Sequence, residues 1–390
     1  MAIKILSVDD EADMEMLIMQ RFRRQIRDKN FEFIFAANGA EALEKLEQNQ
    51  DVALVLSDIN MPEMDGLTFL SKLNDKKNPY LKAVMVSAFN DMDNIRTAMN
   101  RGAFDFVTKP INFEDLEITI NKTIKHIEQL VNSQKEHDQL VAIQNDINIA
   151  QEIQQAMLPK TFPPFPNRTD FDLHAFLKAA KLVGGDLFDY FLMDDNRLFF
   201  LIGDVSDKGI PASLFMAITK AIFKSHFSNK NCGTISEEVR RINDFLSADN
   251  QSMMFVTAFV CILDLTTGVV EYIDAGHEPP LILRKNNEVE LLKKKGGLAL
   301  CIDGDFPYTS STFKLEPGDT LFTYTDGVTD ANNRTGERFG IERVKQLLIQ
   351  ATASAKPQAI NDTLLSQIQA FIGDNAQFDD ITALTLHYAG

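Results

Sequence analysis

The sequence predicts an α/β domain with a doubly wound parallel sheet, joined by a long helix to an α+β domain with two antiparallel sheets and flanking helices. Three observations lead to this prediction. Short apolar strands first alternate with amphipathic helices, no glycine or proline then occurs between Phe113 and Leu158, and hairpins dominate the remainder. The predicted divisions are an α/β domain over residues 1–122, a helical linker over 123–160 and an α+β domain over 161–390.

The first domain is predicted from five apolar strands, each followed by a helical pattern. In chain order the strands are IKILSV, FEFIFAA, VALVLS, LKAVMVSA and DFVTKP, and the intervening helices are EADMEMLIMQRFRRQI, GAEALEKLEQ, LTFLSKLN and DMDNIRTAMNRG. Regular alternation of this kind favours a parallel sheet with helices on both faces.

The linker has an apolar stripe of uneven quality. The apolar positions with coiled-coil spacing are Ile120, Ile124, Ile127 and Val131, and the polar positions that weaken the same stripe are Gln134, Asp138 and Asn145. The stripe favours a helical linker that also forms a homodimer, and an ordinary helix that packs on either domain is the alternative. The proline-rich segment PKTFPPFPNR ends the helix.

The second domain is predicted from hairpins and a few helices. Its strands are RLFFLIGDV, FVTAFVCILDLTTGVVEYIDAG, PLILRKNNEVELL, DTLFTYTDG and ITALTLHY, and its helices lie around 211–227, 235–247 and 340–372. Thr-Gly and Asn-Asn turns join neighbouring strands, which is typical of antiparallel pairing. We therefore expect two antiparallel sheets with helices outside them.

Composition limits the classes of function. The 390 residues include 56 acidic and 39 basic side chains, a net charge of −17 that weighs against a nucleic-acid partner. No apolar run reaches the roughly 20 residues of a membrane span, so no membrane partner is expected. The cysteines Cys232, Cys261 and Cys301 form no CxxC pair and suit a reducing compartment. These features predict a cytoplasmic protein.

A first set of polar residues ends the strands of the α/β domain. Asp9 and Asp10 follow the first strand, Asp58 follows VALVL, Ser87 ends AVMV and Lys109 ends the last strand. The carboxyl ends of parallel strands share one edge, so these groups converge. Crowded carboxylates repel, and Mg²⁺ relieves that repulsion. Mg²⁺ and a lysine would also neutralise an incoming phosphoryl group, which leaves one aspartate free to accept it.

A second acidic set lies at strand boundaries of the α+β domain. Its members are Asp186, Asp204, Asp326, Asp379 and Asp380. One aspartate in a strand-to-helix turn most often caps backbone N–H groups, but four separate boundaries here carry one. No Cys or His has metal-ligand spacing, and carboxylates alone favour Mg²⁺ or Mn²⁺. Two such ions would make a hydrolytic site in which a bridging water attacks phosphorus.

The first domain resembles the receiver domain of bacterial response regulators, which is flavodoxin-like. The matching segments are VDDE, LVLSDINMPEMDG, VMVSA and FVTKP, and the resemblance covers residues 1 to about 122. It implies a sensor histidine kinase as partner. The implied roles are phosphoacceptor for Asp58, Mg²⁺ ligands for Asp9, Asp10 and Asp58, phosphoryl contacts for Ser87 and Lys109, and aromatic switch for Phe106.

The second domain resembles metal-dependent protein phosphatases, in the branch of bacterial sporulation and stress-response Ser/Thr phosphatases. The resemblance runs from about 145 to 388 over AQEIQQAMLP, LVGGDLFDY, IGDVSDKGIPASL, AGHEPPLIL, PGDTLFTYTDGVTDANNRTGERFG and DDIT. It implies two Mn²⁺ or Mg²⁺ ions. The implied ligands are Asp204 as the bridge, the Val205 carbonyl, Asp326, Asp379 and, at a weaker or water-mediated position, Asp186, with Asp380 as a secondary candidate.

Three positions depart from that family's pattern. Asp207 replaces the usual small residue of GDVSGKG and adds a charge beside the site. Glu278 replaces the usual Asn after AGH, and GGLALCI over Gly296–Ile302 replaces the usual GxPLGI. We expect the last two changes to affect packing or substrate recognition. His277 is interpreted as a turn residue rather than a general acid.

The combined pattern predicts a two-component response regulator. Phosphorylation at Asp58 would control a metal-dependent phosphoserine/phosphothreonine protein phosphatase, and the resemblance implies an anti-sigma-factor antagonist as substrate. The alternative is a non-catalytic, phosphorylation-gated adaptor that binds a sigma factor or its regulator. The complete set of aspartates favours catalysis.

Overall fold

The structure, a computed structural model, divides the chain into two units, Met1–Ile143 and Gln144–Gly390. Each unit has its own sheets and hydrophobic core. The residues that the structure describes are 2–88, 91–229, 232–293, 296–351 and 356–390. No helix among them has the length and apolar character needed to cross a membrane.

The first unit is built on a five-stranded parallel sheet. Its strands are β1 (Ile3–Val8), β2 (Phe31–Ala36), β3 (Val52–Asp58), β4 (Lys82–Ala88) and β5 (Asp105–Lys109). Its helices are α1 (Ala12–Arg21), α2 (Arg23–Arg27), α3 (Gly39–Gln48), α4 (Gly66–Asp75) and α5 (Met92–Asn100). The strand order β2-β1-β3-β4-β5, with all pairs parallel, confirms the predicted doubly wound sheet.

Local sequence explains where the helices of this unit begin. The Asn38 side chain accepts hydrogen bonds from the N–H groups of Ala40 and Glu41, and Asp65 accepts one from Thr68, so polar caps start α3 and α4. Helices then cover both faces of the sheet, and two apolar clusters form its core. The chain order reverses between β1 and β3, which is where ligands bind in this fold class.

The sixth helix, α6 (Phe113–Met157), has 45 residues and extends from the first unit into the second. The structure changes our interpretation of its apolar stripe. Ile120, Ile124 and Ile127 are buried, and the first two of them belong to the core of the first unit. Further along, the exposed apolar side chains are those of Leu140, Val141, Ile143, Ile149 and Ile153. The predicted coiled-coil spacing therefore marked a core-packing face.

The second unit contains two antiparallel five-stranded sheets, as predicted. Their orders are β13-β10-β9-β8-β7 and β12-β11-β14-β15-β6. The strands are β6 (Phe171–Lys178), β7 (Leu187–Leu192), β8 (Arg197–Val205), β9 (Val256–Asp264), β10 (Val269–Ala275), β11 (Leu281–Leu283), β12 (Val289–Leu291), β13 (Ser311–Lys314), β14 (Thr320–Tyr324) and β15 (Ile381–Tyr388).

Helices flank the two sheets, so the second unit has four layers. They are α7 (Ile210–Phe227), α8 (Ile235–Ala248), α9 (Asp326–Thr329), α10 (Gly340–Gln350) and α11 (Pro357–Ile372). Along β8, Phe200 and Ile202 face the other sheet while Phe199 and Leu201 face α7 and α8, so this strand is buried on both sides. The helical region predicted around 340–372 contains two helices, because Pro357 begins a separate one; residues 352–355 lie outside the described part of the chain.

A buried ion pair ties α7 to the first of these sheets. The Lys220 ammonium donates to the Asp189 carboxylate of β7, and the two residues are only 3% and 0% exposed. Burial is the main cause that lowers the pKa of Lys220, and the charge of Asp189 opposes it. A charge buried without its partner would be strongly destabilising.

Replacing Lys220 by methionine should lower the free energy of unfolding by about 3 to 5 kcal/mol, because Asp189 would stay buried without its cation. Denaturant unfolding of the full chain measures this loss. Lys224→Met, an exposed position on the same helix, is the matched control and should change the value by less than about 0.5 kcal/mol. A Lys220→Met protein as stable as the control would contradict the assignment.

Candidate functional site

Three carboxylates of the first unit meet at the carboxyl edge of its sheet. Asp9 and Asp10 follow β1 and Asp58 is the last residue of β3, and one ligand oxygen from each lies within 4.8 Å of the others. Asp58 is buried, Asp9 is half-buried and Asp10 is exposed. Burial raises the pKa of Asp9, against the opposing hydrogen bonds from the Glu11 N–H and Lys109. Three hard oxygen ligands at this separation fit Mg²⁺.

Lys109 supplies the counter-charge to this cluster. Its Nζ lies 2.6 Å from Asp58 Oδ2, 3.1 Å from Asp9 Oδ2 and 3.0 Å from Glu11 Oε1. Burial, the largest single influence, lowers the pKa of Lys109, but the hydrogen bonds to Asp58, Glu11 and Asp9 and the charge of Asp58 together outweigh it and raise that pKa. The sequence interpretation missed the contribution of Glu11, although this residue lies within the VDDE segment. One ammonium thus contacts three carboxylates.

The structure places the other two predicted receiver residues on neighbouring strands. Ser87 lies on β4, one residue beyond Val86, the register partner of Asp58. Its side chain is buried, and its Oγ lies 3.5 Å from Asp91 Oδ2. Phe106 lies on β5 and packs, half-buried, against an apolar core cluster. Ser87 is therefore on the strand next to Asp58, and Phe106 is one strand further away, on the strand that ends at Lys109.

The second acidic set comes from four chain segments of the second unit. Asp186 precedes β7, Asp204 and Val205 end β8, Asp326 begins α9, and Asp379 lies just before β15. Two glycines allow these segments to approach closely. A Cβ on Gly185 would lie 2.9 Å from the Val205 carbonyl oxygen, and a Cβ on Gly327 would lie 1.8 Å from the carbonyl oxygen of Asp380.

Burial and mutual repulsion dominate the electrostatics of these carboxylates. Burial and the charge of Asp204 raise the pKa of Asp186 far above its ordinary value, although Asp186 accepts hydrogen bonds from the Thr325 and Thr382 hydroxyls at 2.8 and 2.6 Å. Burial, followed by the charge of Asp326, raises the pKa of Asp204 to about 7. Burial and Asp379 raise the pKa of Asp326.

The donor set of this site fits hard divalent cations. It consists of carboxylates and a backbone carbonyl, and a bound cation would reduce the repulsion between the carboxylates. Its ligand atoms are more widely spaced than those of the first site. Within the described residues, only Asp9, Asp10 and Asp58 bring three acidic ligand atoms within 4.8 Å of one another.

Lys208 is a residue of this site that the sequence interpretation missed. Its Nζ lies 2.8 Å from Asp379 Oδ2 and donates to the Phe378 carbonyl oxygen at 2.8 Å. It also lies 4.0 Å from the centre of the exposed Phe378 ring, within cation–π range. Lys208 therefore neutralises one of the predicted ligands. Its only signal in the sequence was a basic residue inside GDVSDKG.

Asp380 has a different environment from its neighbour. Its Oδ1 accepts from the N–H of Ala180 at 2.8 Å, and its Oδ2 accepts from the N–H of Gly185 at 2.7 Å. The Asp186 N–H also points to Oδ2, at 3.4 Å. These bonds fix the backbone that leads to Asp186. The geometry gives Asp380 an organising position, while Asp379 faces the other carboxylates.

The structure shows what surrounds two of the three positions that depart from the phosphatase pattern. Glu278 is half-buried, and its charge contributes to the raised pKa of Asp326. In the segment Gly296–Ile302, Leu300 pairs with Val256 at the start of β9, and a Cβ on Gly297 would lie 1.5 Å from the Asp274 carbonyl oxygen. The segment thus packs directly on two strands.

His277 is 2% exposed and is held at a turn. Its N–H donates to Asp274 Oδ1 at 3.1 Å, and its Nδ1 lies 3.0 Å from the Thr257 hydroxyl. Asp207, the third departure, has φ +67°. This left-handed conformation favours glycine, which explains why a small residue is usual at that position.

Comparisons with known proteins agree with the two folds. The family model of stage II sporulation protein E (SpoIIE) matches residues 194–389, and that of the response regulator receiver domain matches residues 5–121. Protein IcfG of Synechocystis sp. is 31% identical over 267 residues, which are 62% of this chain and 41% of IcfG. The phosphoserine phosphatase RsbU of Bacillus subtilis is 29% identical over 259 residues, 65% of this chain and 74% of RsbU.

Among solved structures, the SiaA-PP2C domain of Pseudomonas aeruginosa has the same fold as the second unit. It is 21% identical, with a TM-score of 0.55, over 64% of this chain and 98% of that domain. Fold and matches together define a receiver domain joined to a PPM-type phosphatase domain. The chain belongs to the stage II sporulation protein E (SpoIIE) family. It spans less than half of the length of IcfG.

The left-handed backbone at Asp207 gives a stability prediction. Asp207→Ala should be less stable than Asp207→Gly by about 1 kcal/mol, because a Cβ is disfavoured at this φ. The free energy of unfolding of the two variants, measured side by side in denaturant, tests this. An alanine variant as stable as the glycine variant would contradict the backbone assignment.

Proposed function

We propose that this chain is a metal-dependent phosphoserine/phosphothreonine protein phosphatase whose activity is controlled by phosphorylation at Asp58. The observation that carries the proposal is the convergence of Asp186, Asp204 and Asp326, whose pKa values are all raised by burial and mutual repulsion. The similarity to RsbU, a phosphoserine phosphatase, supports the same type of substrate.

The proposed cation ligands are assigned from their positions in the site. Asp204 would bridge two Mn²⁺ or Mg²⁺ ions, with the Val205 carbonyl, Asp326 and Asp379 completing the set and Asp186 acting at a weaker position. When bound, such ions lower the pKa of water enough to give a nucleophile near neutral pH and polarise the phosphoryl oxygens. The raised pKa of Asp204 indicates that a bound cation would stabilise the ionised carboxylate of this residue.

Lys208 would compete with a cation for Asp379. Its ammonium lies 2.8 Å from the carboxylate, so it satisfies Asp379 whenever no ion does. The cation–π contact with Phe378 gives the ammonium a second partner when Asp379 turns to a cation. When no cation is bound, Lys208 would thus keep the Asp379 carboxylate in one position.

In the receiver, Asp58 would accept a phosphoryl group from a sensor histidine kinase. A carboxylate oxygen of Asp58 forms the new P–O bond, and the P–N bond of the phosphohistidine breaks. Lys109, 2.6 Å from Asp58, and Mg²⁺ held by Asp9, Asp10 and Asp58 would neutralise the transferred group. Ser87 and Phe106, on the neighbouring strands, would respond to it.

The partners follow from the same proposal. The substrate would be a phosphorylated anti-sigma-factor antagonist, and the exposed apolar residues of α6, including Leu140, Ile149 and Ile153, would support a homodimer. The cysteines are free, in keeping with a cytoplasmic location. The adaptor alternative is less favoured, because each proposed ligand position carries a carboxylate or carbonyl oxygen.

Metal dependence tests the catalytic half of the proposal. Mn²⁺ at about one hundred times its dissociation constant should raise the melting temperature of the second unit by about 5 to 10 °C. Asp204→Asn should abolish that rise and slow hydrolysis of a phosphoserine protein about 100-fold or more, because the cations are worth several kcal/mol at the transition state. The metal-free variant should melt above metal-free wild type, since one repelling charge is gone.

The matched control for that experiment is Asp195→Asn, an exposed aspartate in the turn before β8. It should retain both the Mn²⁺-induced rise and the hydrolysis rate. An Asp204→Asn protein that hydrolyses the substrate like wild type would overturn the proposed site.

Receiver control is tested with a small phosphodonor. Acetyl phosphate with Mg²⁺ should label wild type but not Asp58→Asn, and the rate of phosphoserine hydrolysis should change about fivefold or more only in the protein that can be labelled. Asp75→Asn, an exposed position at the end of α4, should behave like wild type. Equal rates for labelled and unlabelled wild type would rule out control through Asp58.

A further inference from the structure

The last turn of α6 makes a two-point contact beside the acidic site of the second unit. Gln154 Nε2 donates to the Gly184 carbonyl oxygen at 2.6 Å, and the Gly184 N–H donates to Gln154 Oε1 at 3.1 Å. Gln154 is 8% exposed, in contrast to its exposed neighbour Gln155. One amide side chain thus satisfies both backbone groups of a single glycine.

That glycine is two residues from Asp186 and is tightly enclosed. A Cβ on Gly184 would lie 2.2 Å from Asp380 Oδ2, and a Cβ on Gly185 would lie 2.9 Å from the Val205 carbonyl oxygen. The Gly185 N–H also donates to Asp380 at 2.7 Å. A shift of Gly184 would therefore press on Asp380, and a shift passed on to Gly185 would press on the Val205 carbonyl, because close-packed groups transmit displacement.

We propose that Gln154 is a positioning residue of the metal site, which fixes Gly184 and Gly185 and thereby places Asp186 and the Val205 carbonyl. This inference rests on the proposed function and adds to it a residue through which α6 acts on the site. Both polar atoms of the Gln154 amide are bonded to the Gly184 backbone, so the role proposed for it is positioning rather than ligation. Its effect passes through the Gly184–Gly185 backbone, so it should appear in cation affinity before it appears in substrate binding.

Removal of the two hydrogen bonds tests this role. Gln154→Met keeps the length of the side chain and loses both bonds, and Gln155→Met is the matched control on the same turn. In titration calorimetry of the full chain, Gln154→Met should bind Mn²⁺ about tenfold more weakly than wild type, as when a group that orients metal ligands is removed. Gln155→Met should bind within twofold of wild type.

Two further measurements separate positioning from simple folding. The Mn²⁺ concentration for half-maximal hydrolysis should rise about tenfold in Gln154→Met while the KM for the phosphoprotein stays unchanged. In the metal-free chain, the peptide that contains Gly184–Asp186 should exchange its amide hydrogens faster than in wild type, because the Gly184 N–H has lost its acceptor.

A second variant covers the case in which methionine disturbs folding. Gln154→Glu keeps an acceptor for the Gly184 N–H but places a carboxylate oxygen against the Gly184 carbonyl, so it should also weaken Mn²⁺ binding about tenfold or more. Wild-type affinity in a folded Gln154→Met or Gln154→Glu protein would overturn the positioning role.

Failure of the inference is distinct from failure of the proposed function. If wild type hydrolyses phosphoserine and Gln154→Met binds Mn²⁺ equally well, the phosphatase proposal stands and the positioning role is overturned. If wild type does not hydrolyse phosphoserine but Gln154→Met still binds Mn²⁺ tenfold more weakly, the positioning role stands and the catalytic proposal falls.

Discussion

Repulsion between carboxylates that meet at strand ends is the interaction on which both units depend. Parallel strands bring Asp9 and Asp58 to one edge in the first unit, and the strand ends of the two antiparallel sheets bring Asp186, Asp204 and Asp326 together in the second. Without a nearby positive charge, the ionised form of either carboxylate cluster is unfavourable, because like charges at short range disfavour ionisation. The loops, caps and close glycine contacts around each site serve to maintain this crowding.

The two units relieve the repulsion in different ways. In the first, Lys109 lies within 3.1 Å of both Asp9 and Asp58, so a fixed ammonium shares the site with the proposed cation. In the second, Lys208 contacts Asp379, while burial and the neighbouring carboxylates raise the pKa values of Asp186 and Asp204. The first site therefore places the proposed phosphoacceptor beside a fixed ammonium, and the second is a cluster of carboxylates suited to the two proposed cations.

Much of this could be predicted from the sequence, because local patterns determine it. Alternating strands and helices indicated the parallel sheet, and aspartates at strand ends indicated that acidic side chains would cluster in each unit. Features that depend on contacts distant in the chain were missed. The bonds between Gln154 and Gly184 join residues 30 positions apart, and Asp379 and Asp380 differ only in which backbone each one faces.

Two features of the helices needed the structure to resolve them. The spacing of Ile120, Ile124 and Ile127 suits a coiled-coil seam and a buried helix face equally well, and burial in the first unit decided between them. The helical region predicted around 340–372 holds two helices, because Pro357 is suited to the first turn of a new helix. The left-handed backbone at Asp207 could not be predicted, because composition does not reveal a positive φ.

The most direct test of this account is anomalous diffraction from crystals of the full chain grown with Mn²⁺. We expect anomalous peaks at coordination distance from Asp9, Asp10 and Asp58, and two more among Asp204, the Val205 carbonyl, Asp326 and Asp379. Crystals that diffract well with Mn²⁺ in excess, yet show no peak beside Asp204, would contradict the claim that the acidic cluster of the second unit is a cation site.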